Sequence, residues 1–115
     1  MTNRYALTQR ARADLAEIAE HVGEVAGPMT ARRVVLAFRS AFLLLAEQPL
    51  VGHERDDLTS DGNVRFWPVH SWLVAYAPEP TLTTILAIVH GARDPDVILK
   101  LMEALANEPP HEERE

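Results

Sequence analysis

Cysteine is absent from this 115-residue chain, which excludes disulfides, zinc–thiolate and iron–sulfur sites, and thiol nucleophiles together. Lysine occurs once, at Lys100, so the basic side chains are otherwise all arginine. No run approaches the ~20 apolar residues that a membrane-crossing helix requires. The opening Met1-Thr2-Asn3-Arg4-Tyr5 lacks the apolar centre of a signal peptide, which makes the cytoplasm the expected compartment. Neither a GxGxxG nor a Walker loop occurs, so no phosphate cradle is expected, and no HExxH spacing suggests a metal. Serine is scarce, and the one beside a histidine, Ser71 after His70, would face the opposite side of a strand from its neighbour. His53-Glu54 with Asp56-Asp57 reads as a solvated loop surface rather than a ligand set. No cofactor and no metal are expected.

What is present is ordinary globular material, 47% hydrophobic and 24% charged, in a length that suits one domain. The net charge is −6. Half of that excess lies in residues 107–115, where four glutamates face one arginine. A protein that holds nucleic acid by neutralising phosphate is normally cationic, so the charge argues for protein partners and against direct nucleic-acid binding.

The pattern predicts a short strand over residues 4–7, with Thr8 as cap of a helix carrying Ala11, Leu15, Ile18 and Val22 inward and Arg12, Asp14, Glu17, Glu20 and Glu24 outward. Gly23–Pro28 reads as a turn. A second helix runs from Pro28 or Thr30 to Gln48, stopped by Pro49. Its second half, Ala41–Ala46, is apolar almost all round and must bury more than one face. After a polar loop over 50–63 come three strands, Val64–Val69, Trp72–Tyr76 and Thr83–Val89, with Pro68 marking an edge. Asp94-Pro95 starts a last helix whose Val97, Ile98, Leu101, Met102 and Leu105 form one face. The order β-α-α-β-β-β-α is an α+β fold, helices on one face of a small, mainly antiparallel twisted sheet. A single domain over 1–106 followed by a disordered acidic tail over 107–115 is expected.

The chain resembles the ParE branch of the ParE/RelE superfamily, the toxins of bacterial type II toxin–antitoxin pairs and plasmid stabilisation systems. The resemblance runs from Tyr5 to about Leu99. It rests on Tyr5-x-Leu7-Thr8, Ala11-x-Ala13-Asp14-Leu15-x-x-Ile18, Leu45-Ala46-x-x-Pro49-x-x-Gly52 and Arg55-x-Asp57-Leu58, with Val64-Arg65-x-x-Pro68-Val69 and Trp72-Leu73-Val74-x-Tyr76 following. It closes on Ile85-Leu86-x-Ile88-Val89-His90-Gly91-Ala92-Arg93-Asp94. The resemblance implies a helical hairpin on a twisted sheet, a cognate antitoxin of ParD or other type, and DNA gyrase as target.

RelE-type relatives instead cleave messenger RNA on ribosomes. Where they carry a strand arginine and a helix tyrosine, this chain has Leu73 and Leu99, neither of which can neutralise a phosphate or move a proton. That favours a non-enzymatic gyrase inhibitor. A ribosome-dependent endoribonuclease and a non-toxic member that keeps only antitoxin binding are the alternatives. Arg65, Arg93, Leu101, Met102 and Leu105 are the candidate target-binding residues. Arg32, Arg33 and Arg39, with Phe38, Phe42 and Leu45, are the candidate antitoxin-binding residues, in a groove expected between the second helix and the sheet with the last helix. The plain alternatives are that the arginines pair with Glu17, Glu20 and Glu24, and that Arg93 pairs with a nearby carboxylate.

Overall fold

The computed structural model describes residues 4–106 and 112–114. Strand β1 (Arg4–Thr8) leads into helices α1 (Gln9–Ala26) and α2 (Pro28–Glu47). Strands β2 (Arg65–Val69), β3 (Trp72–Pro78) and β4 (Leu82–His90), helix α3 (Pro95–Ala106) and strand β5 (Glu112–Arg114) follow. The sheet order is β2-β3-β4-β1-β5. β2, β3 and β4 form an antiparallel meander, β1 lies parallel to β4, and β5 is antiparallel to β1. The α+β class and the element order agree with the sequence reading. Pro68 sits on the edge strand β2, where a missing N–H costs no ladder bond.

Two local expectations change. The turn predicted over Gly23–Pro28 shrinks to Gly27 alone. Its φ of 91° suits a residue without Cβ, and its N–H closes α1 on the Gly23 carbonyl at 3.0 Å. Pro28 then opens α2 at once, as its fixed φ and absent N–H allow. His70 and Ser71 form the tight turn between β2 and β3 rather than part of a strand, with His70 at φ 53°. Within the segment expected to be a tail, Glu112–Arg114 pair as β5 with Thr8, Leu7 and Ala6 along the outer edge of β1. The remainder of that predicted tail lies outside the described residues.

The larger correction concerns the helices, which do not share one face. Neighbouring strand residues point to opposite sides, and the core divides accordingly. Val74, Tyr76, Ile85 and Ile88 pack under α1 and α2 with Ile18, Phe38, Phe42 and Leu45. Ala75, Ala87 and Val89 pack on the other side with Phe66, Leu58 and the α3 residues Ile98 and Met102. The sheet is a middle layer. Because β3 and β4 are covered on both faces, they read as nearly unbroken apolar runs, which is why their pattern gives no sidedness.

Polar groups of α1 complete the sheet where β1 ends. β4 carries a bulge, since Ala75 faces Ala87 while Tyr76 faces Ile85, leaving Leu86 as the extra residue. The Thr8 hydroxyl donates to the Leu86 carbonyl at 2.8 Å, and its oxygen accepts the Ala11 N–H at 3.1 Å as the α1 cap. Two residues on, the Ile88 N–H donates to Asp14 Oδ2 at 2.9 Å. Asp14, expected to point outward, is therefore only 7% exposed. It stands in for the next residue of β1, and Arg10 Nε donates to its other oxygen at 2.8 Å. Burial lifts its carboxyl above the usual 3.8, against the opposing pull of the Ile88 N–H and Arg10.

Candidate partner-binding surfaces

Each predicted site residue has a definite place. Phe38, Phe42 and Leu45 are fully buried. Phe42 meets Tyr5 at a ring-centroid distance of 5.5 Å, and Phe38 meets Trp72 at 5.8 Å. Their assignment to an antitoxin groove is corrected: they are the chain's own core under α2. The groove expected between α2 and the sheet with α3 does not form either, because α2 packs directly on one face of the sheet and α3 on the other. Arg32, Arg33 and Arg39 are exposed on α2. Among the described residues they form no ion pair with Glu17, Glu20 or Glu24, so the plain account of these arginines does not hold there.

Arg65 is a structural residue. Its Nη1 donates to the Gly52 carbonyl at 2.9 Å and the Leu50 carbonyl at 3.4 Å, and its Nη2 lies 3.6 Å from Glu54. The neighbouring Tyr76 has no exposed surface. Its hydroxyl donates to the Pro49 carbonyl at 2.7 Å and accepts the Gly52 N–H at 2.9 Å. Burial pushes this phenol up, opposed by the Gly52 N–H and the Arg65 charge. Arg65 and Tyr76, partners in register across β2 and β3, together bind the loop that follows α2. Reciprocal backbone bonds between His53 and Phe66, at 2.8 and 2.9 Å, pin its other end.

Arg93 stands at the exit of β4, exposed and, among the described residues, without a carboxylate partner. The segment that carries it is held on all sides. The Gly91 N–H donates to the Ser71 carbonyl at 2.8 Å, the Arg93 N–H to the His90 carbonyl at 3.1 Å, and the Ala92 N–H to His90 Nδ1 at 3.1 Å. Asp94 caps α3 through the Asp96 N–H at 2.9 Å, as the sequence predicts. Arg93 borders a cleft of 500 Å³ between α1 and this end of the sheet, shared with Arg10, His21, Trp72 and His90. On α3 itself, Met102 is buried against the sheet, Leu101 and Leu105 are half-buried, and Val97, expected inward, is 49% exposed. Leu105 and Met102 also wall a 330 Å³ cleft opposite Thr59 and Asp61. α3 thus presents an apolar flank with Arg93 just ahead of its first turn.

The positions where a ribonuclease relative would hold chemistry are plain. Leu73 and Leu99 are half-buried, and Leu73 packs with the α3-side core. Among the described residues no cluster of histidine and carboxylate has the make-up of a metal site, and no helix is long and apolar enough to cross a membrane.

Comparison with known proteins gives one family. A family model described as the ParE toxin of the type II toxin–antitoxin system parDE matches residues 5–95. No curated protein matches. Among solved structures, a chain of the chromosomal ParDE toxin–antitoxin system from P. aeruginosa superposes with a TM-score of 0.64 at 22% identity, over 78% of this chain and 96% of that one. That likeness shows the fold.

Proposed function

The chain belongs to the ParE toxin family of type II toxin–antitoxin systems, and from that premise we propose that it is a non-enzymatic toxin that inhibits DNA gyrase by protein contact in the cytoplasm and is neutralised by a cognate antitoxin. The observation that carries this reading is the engagement of Arg65. Of the two arginines left to contact phosphate, this one spends its guanidinium on the carbonyls of Leu50 and Gly52 and on Glu54. Cleavage of a phosphodiester needs a base, a proton donor and positive charge held together at one site. Arg93 alone, with Leu73 and Leu99 nearby in the sequence pattern, supplies one of the three.

Protein binding asks for less. A buried apolar anchor beside a free arginine is a common centre of an interface. Arg93 just ahead of α3, with Val97, Leu101 and Leu105 on the helix, gives that combination, while Met102 holds the helix to the sheet. The anionic chain as a whole favours a protein target over nucleic acid.

Induced expression tests the reading in cells. Growth arrest with a DNA-damage response, prevented by co-expression of the antitoxin, is the expected result. Arg93→Glu should relieve the arrest at an unchanged protein level. Arrest with intact DNA and messenger RNA cut at codon-defined positions would instead establish the ribonuclease reading.

A further inference from the structure

A sheet that does not close into a barrel has two edges, and each must be kept from pairing with another chain. One edge here is β2, and its own chemistry blocks it. The His70-Ser71 turn closes on the Val69–Trp72 pair, so by alternation Phe66 and Pro68 direct their backbone groups away from β3. Phe66 gives its N–H and its C=O to His53, at 2.9 and 2.8 Å. Pro68 has no N–H to offer. Little of this edge is left to accept a strand.

On the other side of the sheet, β1 carries none of these devices. Tyr5, Ala6, Leu7 and Thr8 include no proline and no charge, and the register with β4 runs unbroken from Arg4 to Leu7. A plain apolar edge of this kind is a template for another chain. What covers it is β5, whose Glu112, Glu113 and Arg114 pair with Thr8, Leu7 and Ala6. This cover comes from the far end of the chain, beyond the residues 5–95 that the family model matches. Local propensity does not put it there, since glutamate is depleted in strands and three residues make a short one. Charge does favour the placement. Residues 1–14 hold Arg4, Arg10 and Arg12 against Asp14, whereas residues 107–115 hold four glutamates against one arginine. The two ends therefore attract each other within a chain that is acidic as a whole.

We propose that the C-terminal segment is a tethered edge strand: β5 occupies the one strand-accepting edge left among the described residues and keeps the chain from pairing β1 to β1 with a second copy. Without β5, two β1 edges meet antiparallel about a dyad and continue one sheet into the other. Centred on Ala6, that pairing sets Arg4 against Thr8 of the second copy, so the two Arg4 charges stand at opposite ends. Glu112–Arg114 contain no apolar residue, so backbone pairing and charge hold the segment in place. Because the strand belongs to the same chain, its effective concentration at β1 exceeds that of any second copy in dilute solution.

The test uses the full-length protein, with hydrogen–deuterium exchange of the β1 peptide at low concentration and sedimentation equilibrium at rising concentration. One variant, Glu112→Pro with Glu113→Pro, removes two adjacent N–H groups, so a ladder bond is lost in either alternation. A second, Glu112→Lys with Glu113→Lys, keeps those groups and reverses the charge of the segment. Wild type is expected to be monomeric, with its β1 amides protected. The proline variant should exchange the outward β1 amides at least about tenfold faster while β3 is unchanged, and it should self-associate as concentration rises. The lysine variant should lie between the two. Exchange of β1 in the proline variant at the wild-type rate would overturn the pairing. Faster exchange in a variant that stays monomeric at millimolar concentration would overturn the guarding role, as would self-association of the wild type to the same extent. A lysine variant that exchanges like wild type would overturn the part assigned to charge.

Discussion

Gly52→Ala is expected to be the most damaging single-methyl change in the protein. A Cβ at this position would collide with the Tyr76 hydroxyl and lie 2.7 Å from ring carbon Cε1. Neither side can yield. The ring is fully buried among α2 and β4, and the Gly52 backbone is tied to Tyr76 and Arg65 at once. Overpacking of this kind costs about 1–3 kcal/mol. Moving the loop to relieve it would also break the bonds from Tyr76 to Pro49 and Gly52, worth roughly another 1–2 kcal/mol together. Urea unfolding followed by circular dichroism should show a loss of about 3 kcal/mol. Tyr76→Phe should lose about 1–3 kcal/mol, because it leaves a buried N–H without its acceptor. The double variant should fall short of the sum, since both changes act on one contact. A Gly52→Ala protein within 0.5 kcal/mol (an order-of-magnitude bound for surface changes) of wild type would contradict this account of the loop.

Asp14→Ala should be nearly as costly, about 1–3 kcal/mol, because it strands the buried Ile88 N–H. Asp14→Asn separates the charge from the hydrogen bond. Its amide oxygen can still accept from Ile88, but it titrates no proton. In the wild type, burial raises the folded carboxyl's pKa above the unfolded value near 3.8. The contribution of this group is therefore fully present below pH ~3.8 and is lost as pH rises through the raised folded value. Stability measured against pH should fall across that window in wild type relative to Asp14→Asn, and the two curves should run parallel at higher pH. Curves parallel throughout would show that Asp14 is not shifted upward in the fold.

These two sites show what a linear reading of the sequence can and cannot see. Thr8, Pro28, Pro49 and Asp94 mark element ends through local chemistry, and all four act in the structure where the sequence puts them. Sidedness is harder. β3 and β4 are apolar on both faces, so nothing in their pattern says that α3 lies across the sheet from α1 and α2. Asp14 looks solvated because it follows Arg12 on a charged helix. Its partner is a backbone N–H 74 residues away, at a strand edge whose existence depends on β1 ending at Thr8.

The aromatic positions of α2 are hard to assign for a related reason. Phe38, Phe42 and Leu45 look like anchors on an overly apolar helix, but aromatic bulk fills the core first, with Tyr5 and Trp72. Met29, Leu36 and Leu43 share a seven-residue spacing that the sequence reading did not single out, and only the direction of the buried stripe shows that they face outward. Arg65 looks the same in sequence whether it meets phosphate or a carbonyl; only the fold brings Gly52 to it.

The proposed action is binding of DNA gyrase without cleavage of RNA. The most direct measurement pairs two reactions with one preparation of purified protein. The first is gyrase supercoiling of relaxed plasmid, and the second is messenger RNA on translating ribosomes. The account predicts inhibited supercoiling with accumulation of gyrase–DNA cleavage complexes, relieved by the antitoxin, and intact messenger RNA at the same concentrations. Cuts at codon-defined positions with gyrase untouched would contradict it.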